Sequence, residues 1–124
     1  MEEGKINSYR DLVVWQRAME LVVVIYELTD EFPHNEQYGL VSQMRRAAVS
    51  IPSNIAEGSR RSSKKDFKHF LLTAFGSGSE LETQIEIVKR LSFGTNLNFE
   101  KIDSLLVEVM KMLNGLIGSL HDNE

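Results

Sequence analysis

The feature that most constrains the fold is the spacing of apolar residues, which recur every three or four positions through long stretches of the chain. The first stretch carries two such series side by side: Leu12, Trp15, Met19, Val22 and Tyr26, and then Val14, Ala18, Leu21, Ile25, Leu28 and Phe32. This spacing places side chains on one face of an α-helix, whereas a half-buried strand needs strict alternation. The chain is therefore predicted to be all-α.

Two prolines and a glycine set the limits of the first two helices. Helix one begins within residues 8–11 and must stop at Pro33, because the residue before a proline is disfavoured in the α region. The second helix begins near Glu36. Its apolar series keeps its phase through Pro52, which predicts one helix kinked at that proline. Gly58 is predicted to end this helix in a left-handed conformation.

A serine-rich turn leads into two further helices. Ser62 or Ser63 is predicted to cap the third helix, which ends near Leu91. A turn containing glycine and asparagine separates it from a fourth helix over residues 99–120. Connectors this short force neighbouring helices to run antiparallel, so the predicted fold is an antiparallel up-down-up-down four-helix bundle.

The bundle is predicted to form a single domain over residues 9–121. It lies between a disordered or extended N-terminus of residues 1–8 and a C-terminal tail of residues 122–124. The apolar arc of the first helix is wider than one bundle core needs, so we expect the protein to form a homo-oligomer. Scattered apolar residues at the surface of a monomer are the alternative explanation.

Several classes of protein are not expected from this sequence. The chain has no cysteine, and it shows neither a signal peptide nor an apolar stretch long enough to cross a bilayer. A cytoplasmic protein without membrane contact is expected. His34, His69 and His121 have no serine, cysteine or paired carboxylate at a spacing that would build a catalytic unit. We therefore expect no catalytic residues and no enzymatic activity.

Candidate metal ligands are too few for a bundle-type metal site. Di-iron bundles use two Glu-x-x-His motifs together with two further glutamates. Glu31 and His34 have the Glu-x-x-His spacing, but Pro33 breaks the helix that would place both side chains on one face. Asp66 and His69 form only a single carboxylate and histidine pair. No metal site and no cofactor are expected.

Positive charge is concentrated in one part of an acidic chain. The net charge is −4, yet residues 45–69 hold seven arginines and lysines against Glu57 and Asp66. The cations around the start of the third helix are Arg60, Arg61, Lys64, Lys65 and Lys68. Our hypothesis is that they form a rim that contacts the phosphates of RNA or DNA. A solvated charged turn and a dock for an acidic protein are the alternatives. Specific base readout is not predicted, because the turn has no interleaved aromatic residue for stacking.

Eight other residues are predicted to have structural roles. They are Arg46, Ser50, Pro52, Asn54, Glu57, Gly58, Gly76 and Glu80. Asn54 lies in an apolar stripe and is predicted to fix helix register by a buried hydrogen bond. Ser50 is expected to return its hydroxyl to the Arg46 carbonyl and so absorb part of the kink. A regular pair between Glu57 and Arg61 is not expected, because the helix is predicted to end between them.

The small residues at positions 76–79 are predicted to lie in the middle of the third helix, opposite residues 43–46. Small side chains would allow helices two and three to approach closely, at a cost in helix propensity. The carboxylates that follow are Glu80, Glu82 and Glu86. Ion pairs from them to Arg45 or Arg46, in the same or a neighbouring chain, would take both arginines out of the nucleic-acid surface.

Three blocks of sequence resemble a known family. They are LVVWQRAMEL at residues 12–21, QMRRAAVSIPSNIAEG at residues 43–58 and FKHFLLTAFGSGSELETQ at residues 67–84. These blocks resemble bacterial four-helix-bundle proteins encoded in intervening sequences of large-subunit ribosomal RNA genes, over residues 9–120. The resemblance implies a ring-like homopentamer without established catalytic residues. A relative of that family, the accessory protein of diversity-generating retroelements, binds nucleic acid and a reverse transcriptase. RNA or DNA, and a protein such as a reverse transcriptase, are therefore the partners that the resemblance implies.

Overall fold

The computed structural model describes residues 8–120, and over that range the chain is helical with no β-strand. The four α-helices of this range are α1, Val13–Thr29; α2, Ser42–Ser59; α3, Lys64–Arg90; and α4, Glu100–Ser119. The all-α prediction is confirmed for these residues. Of the predicted N-terminal segment, residues 1–7 lie outside the described range, as do His121 and the predicted tail of residues 122–124.

Helix α1 contributes one of its two apolar series to the core. The series that begins at Val14 and ends at Phe32 is buried throughout. The other series is only partly covered: Leu12, Trp15 and Val22 are half-buried against the core, whereas Met19 and Tyr26 are each 41% exposed. Helix α1 contacts α2 and α4, and α3 contacts the same two helices. The buried faces of α1 to α4 therefore meet in one hydrophobic core.

The connection between α1 and α2 is less regular than predicted. It contains a 3-10 turn, His34–Glu36, and a π-helical segment, Gln37–Val41. The predicted start of a regular helix near Glu36 is therefore too early. The reason is Gly39, whose backbone at φ −110° and ψ −107° lies outside the helical region and interrupts the α-helical hydrogen bonding.

Gly58 does not end α2, which corrects the predicted left-handed exit. It is buried inside the helix, which continues to Ser59 and is followed by Arg60 with φ −90° and ψ −3°. A Cβ atom at Gly58 would lie 2.7 Å from Phe70 Cβ and 3.0 Å from Phe67 Cδ1. Glycine is required here because it lets α2 pack closely on α3, and not because it permits a left-handed turn.

The small residues of α3 lie in the middle of the helix, as predicted, but with other neighbours. Ser77 Oγ is 2.8 Å from Ser50 Oγ, so this segment faces Ser50 rather than the predicted stretch nearer the start of α2. Gly78 is buried against the Met110 side chain of α4. A Cβ atom at Gly76 would meet nothing within 4 Å. The predicted role of Gly76 in helix packing is therefore wrong. At this level Ser77 contacts α2 and Gly78 contacts α4.

Candidate nucleic-acid interface

The turn between α2 and α3 carries the cations that the sequence identified. Helix α2 ends at Ser59, and α3 begins at Lys64. Ser63 Oγ accepts a hydrogen bond from the Asp66 backbone N–H at 3.0 Å, which confirms Ser63 as the predicted cap. This bond satisfies one of the free N–H groups of the first turn and fixes the direction in which α3 leaves the turn.

We define the basic turn as Arg60, Arg61, Lys64, Lys65 and Lys68. Lys64 and Lys65 are exposed, and Lys68 is half-buried. Within residues 8–120, none of these three lysines forms an ion pair with a carboxylate. Their ammonium groups are therefore available to an anionic ligand.

Both arginines of the basic turn lie against aromatic rings. The guanidinium carbon of Arg60 is 5.3 Å from the ring centroid of Tyr9, and that of Arg61 is 4.8 Å from the ring centroid of Phe70. Arg61 also forms an ion pair with Glu57, one helical turn earlier. The prediction that this pair does not form was wrong, because α2 remains helical almost to Arg61 and keeps the two side chains on one face.

Tyr9 is a part of the site that the sequence did not reveal. It lies in a 3-10 turn, Tyr9–Asp11, in which Ser8 Oγ accepts a hydrogen bond from the Arg10 backbone N–H. Its ring packs edge-on against Trp15, with 5.2 Å between the centroids. The prediction that aromatic residues are absent considered only the sequence of the turn. Tyr9 is about 50 residues earlier in the chain, and no local sequence signal links it to Arg60.

The polar residues of α2 connect this helix to α3. Asn54 Nδ2 donates to the Ser50 carbonyl at 2.8 Å and to Ser50 Oγ at 3.0 Å. Ser50 Oγ in turn lies 2.8 Å from Ser77 Oγ. Asn54 is half-buried and both of its hydrogen bonds go to Ser50 of its own helix, whereas a buried bond was predicted; its role in helix register stays a prediction. The predicted bond from Ser50 to the Arg46 carbonyl was wrong, since Ser77 lies opposite and pairs with that hydroxyl.

Arg45, near the beginning of α2, contacts the end of α1 and is not part of the basic turn. Its Nε donates to Thr29 Oγ1 at 2.8 Å, and its Nη2 donates to Asp30 Oδ1 at 3.0 Å. Its guanidinium carbon lies 4.3 Å from the ring centroid of Tyr26. The predicted pairing of Arg45 with the α3 glutamates of its own chain was therefore wrong, because the end of α1 lies closer.

The glutamates of α3 bond along their own helix. Glu80 Oε2 accepts from Gln84 Nε2 at 3.3 Å, and Glu86 Oε2 accepts from Lys89 Nζ at 3.5 Å. Arg46 is exposed and forms no ion pair with a carboxylate of residues 8–120. The predicted link from these glutamates to Arg46 is thus absent within the described chain, since neighbours on one helix are nearer.

An apolar groove runs between α1 and α2 on the outer surface. Its lining residues are Tyr9, Trp15, Met19, Val22, Val49, Pro52, Ser53 and Ala56. Val49 is 40% exposed, comparable with Met19. The groove thus contains Trp15, Met19 and Val22, three of the five residues of the apolar series that begins at Leu12.

Residues 8–120 offer neither a cluster of metal ligands nor a membrane-spanning helix. Among residues 8–120, no three or more histidine, aspartate or glutamate side chains are grouped so that they could hold a metal ion. No helix of that range is both long and apolar enough to cross a membrane.

The chain matches the model of one protein family, described as 23S rRNA-intervening sequence protein, over residues 10–115. The match includes α1, α2, α3, the basic turn and most of α4. No curated protein matches the chain.

Proposed function

We propose, from the premise that the chain belongs to the 23S rRNA-intervening sequence protein family, that it is a non-enzymatic protein that binds RNA or DNA as a homo-oligomer. The basic turn would contact the nucleic acid. A pentameric ring is the assembly that we favour, on the resemblance described above. Such a ring would bring five copies of the turn together and raise affinity through multivalency.

The observation that carries this proposal is the set of unpaired lysines at one end of the molecule. Lys64, Lys65 and Lys68 have no carboxylate partner within residues 8–120, although the chain is acidic. Lysines in the first turn of a helix oppose the helix dipole, so they make the fold slightly less stable. A ligand with phosphate groups would compensate for this local cost.

The uncovered apolar groove between α1 and α2 supports the oligomer. Met19 and Val49 are each about two-fifths exposed there, and Trp15 and Val22 are only half-buried. Burial of an apolar series at this spacing against another chain is favourable by roughly 25 cal/mol for each Å² removed from water. Light scattering is the direct measurement, and a monomeric mass at high protein concentration would contradict this part of the proposal.

We further propose that neighbouring helices run antiparallel and that α2 bends at Pro52. The end of α1 contacts the beginning of α2 through Thr29 and Arg45, as antiparallel neighbours require. The end of α3 likewise contacts the beginning of α4 through Lys89 and Asp103, which are 2.8 Å apart. Pro52 lies within α2 and lacks the N–H that would bond one turn earlier, which is the usual physical cause of a bend.

The test of nucleic-acid binding is a pair of charge-reversal variants. Lys64→Glu with Lys65→Glu alters the basic turn, and Lys101→Glu with Lys111→Glu makes the same change in net charge on α4. Glutamates in the first turn of α3 suit the helix dipole, so the first variant should remain folded. We expect it to lose low-salt binding to RNA or DNA in a gel shift, while the α4 variant binds as the unmodified protein does.

The salt dependence of binding gives a second readout. Removal of one lysine–phosphate interaction should make the plot of log affinity against log salt concentration shallower, by about 0.7 on a single strand or about 0.9 on duplex DNA. Equal retention of nucleic acid by both variants would contradict the assignment to the basic turn.

A scaffold that binds another protein is the second candidate function. The observation that favours it is the exposure of apolar side chains away from the basic turn, including Tyr38 at 94%, Val23 at 55% and Val107 at 52%. A reverse transcriptase is one partner that the resemblance suggests. Absence of nucleic-acid binding by the unmodified protein at low salt, together with protein partners that copurify after nuclease treatment, would favour this function.

A further inference from the structure

The two arginines of the basic turn differ from its lysines in how they are held. Arg60 lies over the ring of Tyr9, on the side of the N-terminal 3-10 turn, and Arg61 lies over the ring of Phe70, on the side of α3. Each arginine is exposed, while each ring is half-buried. The rings therefore support the guanidinium groups from the protein side and leave surface that faces solvent.

The charge of Arg61 is already balanced by a carboxylate. Its guanidinium pairs with Glu57, yet 43% of the Arg61 side chain remains exposed. A compensated cation attracts phosphate less than the unpaired lysines of the same turn do. What Arg61 still offers to a ligand is a flat surface whose orientation is restricted by the ion pair and by the ring.

We infer that the basic turn stacks unpaired nucleobases on Arg60 and Arg61 while its lysines contact phosphates, so that its ligand is single-stranded or bulged nucleic acid. This inference rests on the proposed nucleic-acid function. Guanidinium planes stack on the faces of bases, and those faces are accessible where bases are not enclosed in a duplex. Ordering an arginine in advance reduces the conformational entropy that binding must overcome.

The two arginines extend toward different parts of the fold, Arg60 to the segment before α1 and Arg61 to α3. They would therefore accept two separate bases, on either side of the turn. Stacking of this kind accepts every base, because each has a flat face, so no sequence preference follows.

The experiment compares a short single-stranded DNA with a strand of equal length whose bases are replaced by abasic sites. The two strands carry the same number of phosphates and differ only in their bases. We expect the unmodified protein to bind the base-bearing strand about tenfold more tightly, as the combined effect of one exposed cation–π contact at each of the two arginines. Fluorescence anisotropy at low salt measures both affinities.

Arg60→Lys combined with Arg61→Lys keeps both charges and removes both planar groups. We expect this variant to bind the two strands equally, at the level at which the unmodified protein binds the abasic strand. Arg90→Lys is the matched control, because Arg90 is exposed at the other end of α3, and it should keep the preference.

Each alternative outcome is informative. Equal binding of the two strands by the unmodified protein overturns base stacking and leaves the proposed nucleic-acid function intact. A preference that persists in the double variant, or that also disappears in Arg90→Lys, overturns the assignment to Arg60 and Arg61. Failure of the unmodified protein to bind either strand at low salt overturns the inference; if duplex DNA and RNA also fail to bind, the function on which it rests is overturned as well.

Discussion

Alanine substitutions at two helical glycines should change stability in opposite directions. Gly58 lies in α2 and Gly76 lies in α3, so a gain in helix propensity accompanies either substitution. In a helix interior this gain is about 1 kcal/mol, and it is smaller near a helix end such as that of α2. The two sites differ in what the new methyl group meets.

The magnitude at Gly58 follows from the distances to α3. A Cβ atom there would lie 2.7 Å from Phe70 Cβ and 3.0 Å from Phe67 Cδ1, whereas favourable carbon contacts are about 3.5 to 4.0 Å long. Phe70 Cβ is fixed to the backbone, so no change of rotamer relieves the overlap, and α2 and α3 must move apart. Overpacking of this kind costs about 1 to 3 kcal/mol, which exceeds the gain in propensity. At Gly76 nothing lies within 4 Å, and the full gain remains.

The assay is thermal unfolding followed by circular dichroism at one fixed protein concentration, because oligomerisation makes Tm depend on concentration. For a chain of this length, 1 kcal/mol corresponds to roughly 3 to 5 °C. We expect Gly76→Ala to raise Tm by about that amount and Gly58→Ala to lower Tm by several degrees. An equal rise in Tm for both variants would refute the conclusion that packing against Phe70 requires glycine.

Two further predictions concern polar contacts between helices. Arg45→Met removes the hydrogen bond to the buried Thr29 hydroxyl and should lower the free energy of unfolding by about 1 to 2 kcal/mol in urea, whereas Arg46→Met, at an exposed position, should have little effect. The hydrogen bond from Lys89 to Asp103 raises the Lys89 pKa above its ordinary value of 10.5. The stability that the Lys89–Asp103 hydrogen bond contributes is therefore complete below pH 10.5 and is lost as the pH rises through the Lys89 pKa of the folded state. Thermal melts above pH 10.5 should show a loss of stability in the unmodified protein that is larger than in Lys89→Met. Identical dependence of Tm on pH in the two proteins would contradict a stabilising role of this hydrogen bond.

The helical architecture could be predicted because its signals are local. The spacing of apolar residues identified each helix, and Ser63 was one of two candidates for the cap that the structure confirms. The predictions that failed at Gly58 and Gly76 concern contacts between helices. Sequence patterns indicate that a glycine is unusual at a position, but only the packed structure shows which neighbour excludes a side chain.

The residues of the candidate site likewise divide into those that local sequence predicts and those that come together only when the helices pack. The cations of the basic turn are close together in sequence and could be identified as a group. Tyr9 could not, since it reaches Arg60 only after α1 and α2 have packed. Arg45 was assigned to the wrong partners for a related reason, because its actual partner Thr29 becomes available only where α1 ends beside α2.

Gly58 connects the stability of the fold with the geometry of the site. The absence of a side chain at Gly58 allows α2 to approach Phe70. The ring of the same Phe70 lies beneath Arg61, which follows Gly58 by three residues. A glycine that only ended the helix would be replaceable by asparagine, which also tolerates the left-handed conformation. A glycine that sets the distance between α2 and α3 is not replaceable in this way, because any Cβ atom would displace Phe70 from Arg61. The packing of these two helices and the orientation of the Arg61 guanidinium therefore depend on the same contact.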